Sequence, residues 1–566
     1  MDATSHLHDV RASAASLGAS QSIVLGTSLL AYLVFKRYEP KSTSVIAALL
    51  LGVPAMLSTV LYQTSSHLSD AIVTSYTAYW SLLLLFTALY RLSPFHPLAT
   101  FPGPIPARVS KLWITKIMYR GKVHLHYREL HKQYGDVVRI GPNELSICNA
   151  DAVYPVLGAK GLKKGPFYTT RQQPNGTTSL LNIVDPVEHA ARRRTWNRAM
   201  NSAALKDYED IVKSKVNELM ECLAQRQSQV IDISDWMSYF GFDFMGRMAF
   251  GKDFGMLRTG SDNQGVWHMI EKGTKAFSVV SYLPWLAKFL TLLPQGSNPI
   301  AVLRRIANEN VMHRIHSGSQ SRDLFHYLMD EDGIEPTKPS LPIVMSDGLL
   351  AIIAGSDTTS TALSHLWYFL IRNPNVYKRL RQEVDAVFPP GDDPLDFKKH
   401  VDMEYLNACI NETLRLLPPV LDGVQRSTWD SEAQVFGSIV VPPNTAVAVS
   451  TYSLHRDARN FTPLPDTFWP DRWLVQDDYI LPTGQKIQSS QLIHNRNAFI
   501  PFSFGPANCV GKNLAVMELR AVTCSYIQKF DMNVAGGYDL DSWEDSILDY
   551  GVTSRGHLLV HLKARY

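Results

Sequence analysis

Cys509 lies in the run Pro501-Phe502-Ser503-Phe504-Gly505-Pro506-Ala507-Asn508-Cys509-Val510-Gly511-Lys512, a Gly- and Pro-punctuated loop followed by an apolar helical pattern from Leu514. A thiolate is a nucleophile and a metal ligand, and donors or cations around a sulfur favour it. Gly505 and Gly511 let backbone come close to that sulfur, because neither carries a Cβ. A loop cysteine on its own is most often a buried structural thiol, so the other chemistry-bearing runs must decide.

Two runs do so. Ala354-Gly355-Ser356-Asp357-Thr358-Thr359 puts an acid and two hydroxyls in the middle of an apolar stretch over 341–371. A helix apolar on all sides is buried, and polar residues at its midpoint need a reason. Gly355 and the two threonines weaken helical preference, and a threonine hydroxyl can bond the carbonyl four residues back. A local helix distortion beside a pocket is expected. The second run, Asn411 to Pro419, ends a helical pattern in which Glu412 and Arg415 share a face. Downstream, Phe468-Trp469-Pro470-Asp471-Arg472-Trp473 sets an arginine between aromatics. A buried carboxylate between two guanidinium groups can be fully hydrogen-bonded, and breaking it leaves an uncompensated charge.

Together these runs resemble the cytochrome P450 family. Phe502, Gly505, Cys509 and Gly511 match its haem-loop pattern Phe-x-x-Gly-x-Arg-x-Cys-x-Gly, and Ala507 stands where arginine is usual. The resemblance covers about residues 94–566. It implies that Cys509 is the axial iron ligand of haem b (iron protoporphyrin IX), and that Asp357 and Thr358 relay protons during dioxygen activation. Glu412, Arg415 and Arg472 would form a structural triad under the haem. His189 and Arg193 fall at the spacing of the family's Trp-x-x-x-Arg, with histidine replacing tryptophan, and Arg426 matches a strand arginine. These three are expected on the haem propionates, given Ala507. The pocket is expected to include Leu349, Ile352, Ile353 and Thr359 on the central helix, residues 167–170, and residues 420–424 with Val420 and Asp422. Asp422 before Gly423 reads first as turn chemistry and second as a contact to a substrate hydroxyl or amine. Arg192, Arg194, Arg198 and Lys512 are expected on a basic surface for an acidic flavoprotein. Residues 277–293, with Trp285 and Phe289, are expected to form an entry lid.

The implied function is a monooxygenase that hydroxylates a lipophilic small molecule with O2. Only Val510–Tyr566 follows the cysteine, less than an ordinary domain of about 100 residues. Electrons are therefore expected from NADPH through a separate NADPH-cytochrome reductase. The hinge and loops look most like fungal members, which points to a secondary-metabolite terpenoid or polyketide. The alternatives are a haem-thiolate isomerase or dehydratase, a sterol demethylase and a non-catalytic haem-binding membrane protein. Nothing suggests a nucleic-acid partner.

The elements that must position these residues are mainly helical with small β-sheets, as in a cytochrome P450 fold preceded by transmembrane helices. Periodicity predicts helices over 204–224, 362–372, 376–387 and 511–530, and strands on either side of Gly141-Pro142-Asn143. The chain has 566 residues, a net charge of +3 and 19% charged residues, fewer than the roughly 25% of soluble domains. The deficit lies in the first 93 residues, where uncharged windows predict up to three transmembrane helices at 13–35, 43–62 and 71–90 after a lumenal tail over 1–12. Lys36, Arg37 and Lys41 make the first loop cytosolic, and the next loop has no basic residue. The catalytic domain, 108–566, then faces the cytosol from the endoplasmic reticulum membrane. A stiff, proline-rich hinge is expected over 94–107. The five cysteines form no framework, as in a reducing compartment, and Cys148, Cys409 and Cys524 read as core thiols.

Overall fold

The computed structural model describes residues 3–40, 42–63, 65, 67–171, 177–227, 229–283, 286, 299–318, 322–429 and 432–566. Lys41 and most of the expected lid, including Trp285 and Phe289, lie outside them. Two compact units emerge, Met1–Ser110 and Lys111–Tyr566.

In the first unit, helix Ala3–Tyr38 is followed by Thr43–Ala47, a π-helical turn Ala48–Gly52, helix Val53–Tyr62 and helix Leu68–Leu92. The segment expected as a tail over 1–12 is therefore helical from Ala3. Gly18–Tyr38, Thr43–Tyr62 and Leu68–Leu92 are each long and apolar enough to cross a membrane. Leu49 and Pro54 carbonyls accept from Tyr79 and Ser75, and the Leu50 and Leu51 carbonyls from Trp80 and Tyr76. The wider π turn frees carbonyls from the helical ladder, and the facing helix supplies donors that an apolar medium lacks. That register is antiparallel. Tyr32 contacts Phe86 and Tyr90, and Lys36 lies over the Tyr90 ring, so the first and last helices end on the same side. The prolines over 94–104 stay non-helical, but Ile105–Val109 forms a helical turn. The expected stiff hinge is thus shorter than 94–107, because Pro106 sits in the first turn, where its missing N–H costs nothing.

The second unit is mainly helical. Its largest core cluster joins helices Ser202–Ala224, Ile233–Phe250, Leu341–Arg372, Glu404–Leu416 and Lys512–Lys529. Leu341–Arg372 also meets the length and hydropathy of a membrane span, yet its second half is buried inside this core. It crosses Ile233–Phe250 closely: a Cβ on Gly241 would stand 2.5 Å from the Ser356 carbonyl, and one on Gly355 2.5 Å from Met245 Sδ. The expected distortion near Gly355 is absent, and the helix runs unbroken from Leu341 to Arg372. Gly355 serves close packing instead.

The largest sheet orders strands Val137–Gly141, Glu144–Ile147, Ala446–Val449, Gln425–Ser427 and Lys163–Lys164. Glu144–Ile147 pairs in parallel with Ala446–Val449, and the other pairs are antiparallel. A second sheet joins Phe530–Val534, Leu559–Ala564 and Val230–Asp232. All five cysteines are free, and only Cys509 is exposed.

Candidate active site

The Cys509 loop is held by its own backbone. The Cys509 N–H donates to the Phe502 carbonyl at 2.9 Å and the Asn508 N–H to the Gly505 carbonyl at 3.1 Å. The N–H groups of Gly511 and Lys512 bond the sulfur. Gly505 has φ +75°, and a Cβ there would stand 2.0 Å from the Leu157 carbonyl. Its lack of a side chain therefore clamps the loop to residues 157–158, not to the sulfur as the sequence suggested. A Cβ on Gly511 would meet no protein atom within 4 Å, so Gly511 contributes its N–H. Gly505→Ala combines left-handed strain with a backbone clash, and is expected to cost more than about 2 kcal/mol in thermal unfolding.

Cys509 is solvent-accessible although protein atoms surround it on nearly all sides. A sulfur that is both accessible and enclosed faces an internal space. Asp357 and Asp422 share this signature, and Ala354 is exposed midway along a packed helix. Burial pushes the Cys509 thiol up, against the Gly511 N–H, Arg193 and Lys512. The surrounding donors alone do not make the thiolate; a bound metal cation would, since a coordinating thiol is deprotonated outright.

The same internal region gathers positive charge. Lys164 and Arg426 stand directly opposite each other across an antiparallel pair, an unfavourable arrangement for like charges. Burial, then Arg426 and Arg193, lowers Lys164 to about 7. Burial, then Lys164, Arg193 and Arg426, lowers the buried His189 to about 4. Among the described residues, Lys164, Arg193 and Arg426 are not ion-paired with a carboxylate, and His189 is neutral. The Lys164 ammonium donates to the Leu180 and Leu181 carbonyls at 3.1 and 2.7 Å. Arg193 donates to the Asn508 carbonyl and Oδ1 at 2.7 and 2.9 Å, which ties its helix to the Cys509 loop where Ala507 offers no guanidinium. A haem, with an iron for the sulfur and two propionates for the cations, fits these residues.

Lys164 is a residue that sequence reading missed. Its signal was the alternation in Lys163-Lys164, with the first exposed and the second buried. Asp347 was missed as well. It accepts from Arg192 at 2.7 Å, from Trp196 Nε1 at 3.1 Å and from the Leu180 N–H at 3.1 Å, which pins helix Pro186–Ala199 to the central helix. Arg198 pairs with Asp330 and Glu335. Arg192 and Arg198 are therefore internal staples, a correction to the expected basic docking surface; Arg194 remains exposed.

Glu412 is fully buried. Its Oε2 accepts from Arg415 Nε at 2.8 Å and Trp473 Nε1 at 2.9 Å. Its Oε1 accepts from Arg415 Nη2 at 2.8 Å, Arg472 Nε at 3.0 Å and the Trp469 N–H at 3.0 Å. Burial would raise its pKa, but Arg415 and Arg472 overcome that and hold it at about 2. The Trp473 indole, which follows Arg472 directly in the chain, completes the cage.

On the central helix, Leu349, Ile353, Asp357 and Thr358 are partly open, whereas Ile352 and Thr359 are buried. Helical spacing turns Ile352 and Thr359 away from the open face and toward the core. Thr358 Oγ1 donates to the Ala354 carbonyl at 2.6 Å. Burial raises Asp357 to about 6, with Arg555 opposing and Glu271 adding to the rise. Val420 and Val424 are partly open. Asp422 accepts from the Gly423 N–H and from Tyr282 Oη, both at 2.9 Å. The turn reading thus describes its bonds, and Tyr282 is an added partner.

The cytochrome P450 family model matches residues 100–552. Among curated proteins, the cytochrome P450 monooxygenase orf5 of Eupenicillium brefeldianum is 34% identical over 472 residues, covering 82% of this chain and 91% of the relative. Cytochrome P450 67 of Uromyces fabae is 32% identical over 538 residues, with 92% and 95% covered. Tryprostatin B 6-hydroxylase of Aspergillus fumigatus is 31% identical over 469 residues, with 82% and 79% covered.

Proposed function

The chain belongs to the cytochrome P450 family, and on that premise we propose that it is a haem b monooxygenase that hydroxylates a lipophilic small molecule of secondary metabolism. Its named fungal relatives, a tryprostatin hydroxylase among them, support that setting. The observation that carries the reading is the enclosed yet accessible Cys509 sulfur near Arg193, whose charge in turn reaches Lys164 beside Arg426; none of the three cations has a carboxylate partner among the described residues.

Bound haem supplies the activation of O2 at its iron; the remaining tasks fall to the chain. Cys509 Sγ would hold the iron, supported by the Gly511 and Lys512 N–H groups. Lys164, Arg193, Arg426 and His189 would hold the propionates, and Phe502 and Gly505 shape the loop. The Asp357 carboxyl takes up and releases a proton toward the internal space, with Thr358 Oγ1 beside it. A carboxyl poised near 6 exchanges protons readily in both directions at neutral pH. This poise favours oxygenation over isomerisation, which needs no proton delivery. Leu349, Ile353 and Val420 offer an apolar wall. Glu412, Arg415 and Arg472 would keep the fold that supports the haem. Electrons come from NADPH through a separate NADPH-cytochrome reductase. The helices Gly18–Tyr38, Thr43–Tyr62 and Leu68–Leu92 anchor the chain in the endoplasmic reticulum membrane, with the catalytic domain in the cytosol.

The test is the carbon monoxide difference spectrum of reduced membranes carrying the full chain. The red-shifted Soret band of thiolate-ligated ferrous haem is expected; its absence, with protein present, would overturn the reading. Lys164→Met should keep the band but weaken haem retention about tenfold, the effect of losing one charge-assisted hydrogen bond, as measured by haem transfer to an apo-globin acceptor.

A further inference from the structure

Arg555, in the C-terminal segment, lies between helices Ile233–Phe250 and Leu341–Arg372, with its side chain only 3% exposed. Its Nε donates to Ser234 Oγ and Ser364 Oγ, each at 3.0 Å. Nη1 donates to Thr361 Oγ1 at 2.7 Å. Nη2 donates to Ser238 Oγ at 2.6 Å, Ser360 Oγ at 3.2 Å and the Ser234 carbonyl at 3.4 Å. Residues 357, 360, 361 and 364 form one stripe of the central helix, so two helices build a belt of hydroxyls around a single guanidinium.

Each of these acceptors is neutral. The belt fixes the guanidinium in place without cancelling its charge. Asp357 Oδ1 stands 3.5 Å from Nη1, a long and weak hydrogen bond within strong electrostatic reach, and both the bond and the charge favour the carboxylate. Asp357 is the one carboxylate ion-paired with Arg555 among the described residues. An acid bonded directly to arginine would be locked as a carboxylate. One held by a single long contact and the field of the guanidinium stays free to take up and give away a proton.

We propose that Arg555 is the positioning residue of Asp357, its belt-held charge setting the orientation and proton affinity of that carboxyl. The inference rests on the reading of Asp357 given above. The balance of the step is simple: one proton enters from water onto an Asp357 oxygen and leaves toward the internal space, and no electron moves. Other titratable groups face the site. Glu271, on helix Val266–Ser281, accepts from Ser554 Oγ and adds to the rise of Asp357. Asp235, on Ile233–Phe250, is raised to about 6 by burial and Asp232, with His557 and then Arg555 opposing. His365, on the central helix, is lowered to about 3 by burial, against its bond to the Leu417 carbonyl and with Arg555 adding to the fall, so it stays neutral. Without the Arg555 charge, burial and Glu271 act on Asp357 unopposed, and its carboxyl holds its proton more tightly.

The experiment titrates the Asp357 carboxyl by infrared difference spectroscopy of the full-length holoprotein, with Asp357→Asn as the subtracting control. No turnover is needed. In Arg555→Gln the midpoint should rise by about one to three pH units, the effect of losing an opposite charge at this range. In Arg555→Lys it should rise by less, because an ammonium reaches fewer of the hydroxyls. An unmoved midpoint in either folded variant overturns the proposal. So does failure of both variants to accumulate, which would make Arg555 a purely structural arginine. If wild type itself lacks the thiolate-haem band, the reading beneath the inference has failed; if the band is present and the midpoint stays, only the inference has.

Discussion

Replacing Glu412 with alanine is expected to remove most of the folded protein. Arg415 and Arg472 would be left fully buried, with guanidinium groups that no carboxylate neutralises. Breaking a buried pair in this way costs about 3–5 kcal/mol, a large part of the 5–15 kcal/mol that holds an ordinary domain. Two indole and amide donors, from Trp473 and Trp469, lose their acceptor at the same time. Glu412→Gln keeps the volume but not the charge and should fall between the two. The measurement is thermal unfolding of detergent-solubilised protein, followed by loss of the haem signal. Near-wild-type stability of the alanine variant would mean the cage contributes nothing. The same carboxyl sets an acid limit. Its folded pKa of about 2 lies below the ordinary 4.5, so the unfolded chain binds the proton more readily. The associated stability, about 3 kcal/mol, is complete above 4.5 and is lost as pH falls toward 2.

Cys509→Ala is expected to have the opposite profile: an intact fold and no chemistry. The backbone bond from residue 509 to the Phe502 carbonyl survives in alanine, and the lost side chain fills no core position, since the sulfur is accessible. Circular dichroism and thermal unfolding of the haem-free protein should therefore stay close to wild type. The carbon monoxide band and all product should disappear. A variant that kept the band would show that another atom holds the iron, and the assignment of Cys509 would fall.

The two variants separate what the chain needs to fold from what it needs to react. Glu412 is 0% exposed and satisfied by five donors; Cys509 is open and only partly satisfied. Stability resides where polar groups are closed off from water, and chemistry where one is left available.

Much of this was legible in the residues themselves. Glu412 and Arg415 share a helix face because of their spacing, and the proline-bounded Arg472 had few other reasons to sit between tryptophans. The Gly141-Pro142-Asn143 turn dictated a hairpin, and Val137 does pair with Ile147. The uncharged windows near the N-terminus marked three apolar helices. What misled was local reasoning about glycine. Gly355 suggested a weakened helix, but it is a contact point with Met245; Gly505 suggested room for a sulfur, but it makes room for the Leu157 carbonyl. In both cases the missing Cβ matters to a segment far away in sequence.

The sequence by itself determined the family, the Cys509 loop and the shared helix face of Glu412 and Arg415, because each rests on short runs whose spacing fixes their own geometry. The tertiary structure alone decided which charges meet. Lys164 and Arg426 become neighbours through strand pairing across 261 intervening positions, and Arg555 reaches Asp357 only because two helices cross closely enough to share one guanidinium. Electrostatic interaction depends on distance in space, and spacing along the chain does not carry that information beyond a helical turn or a hairpin.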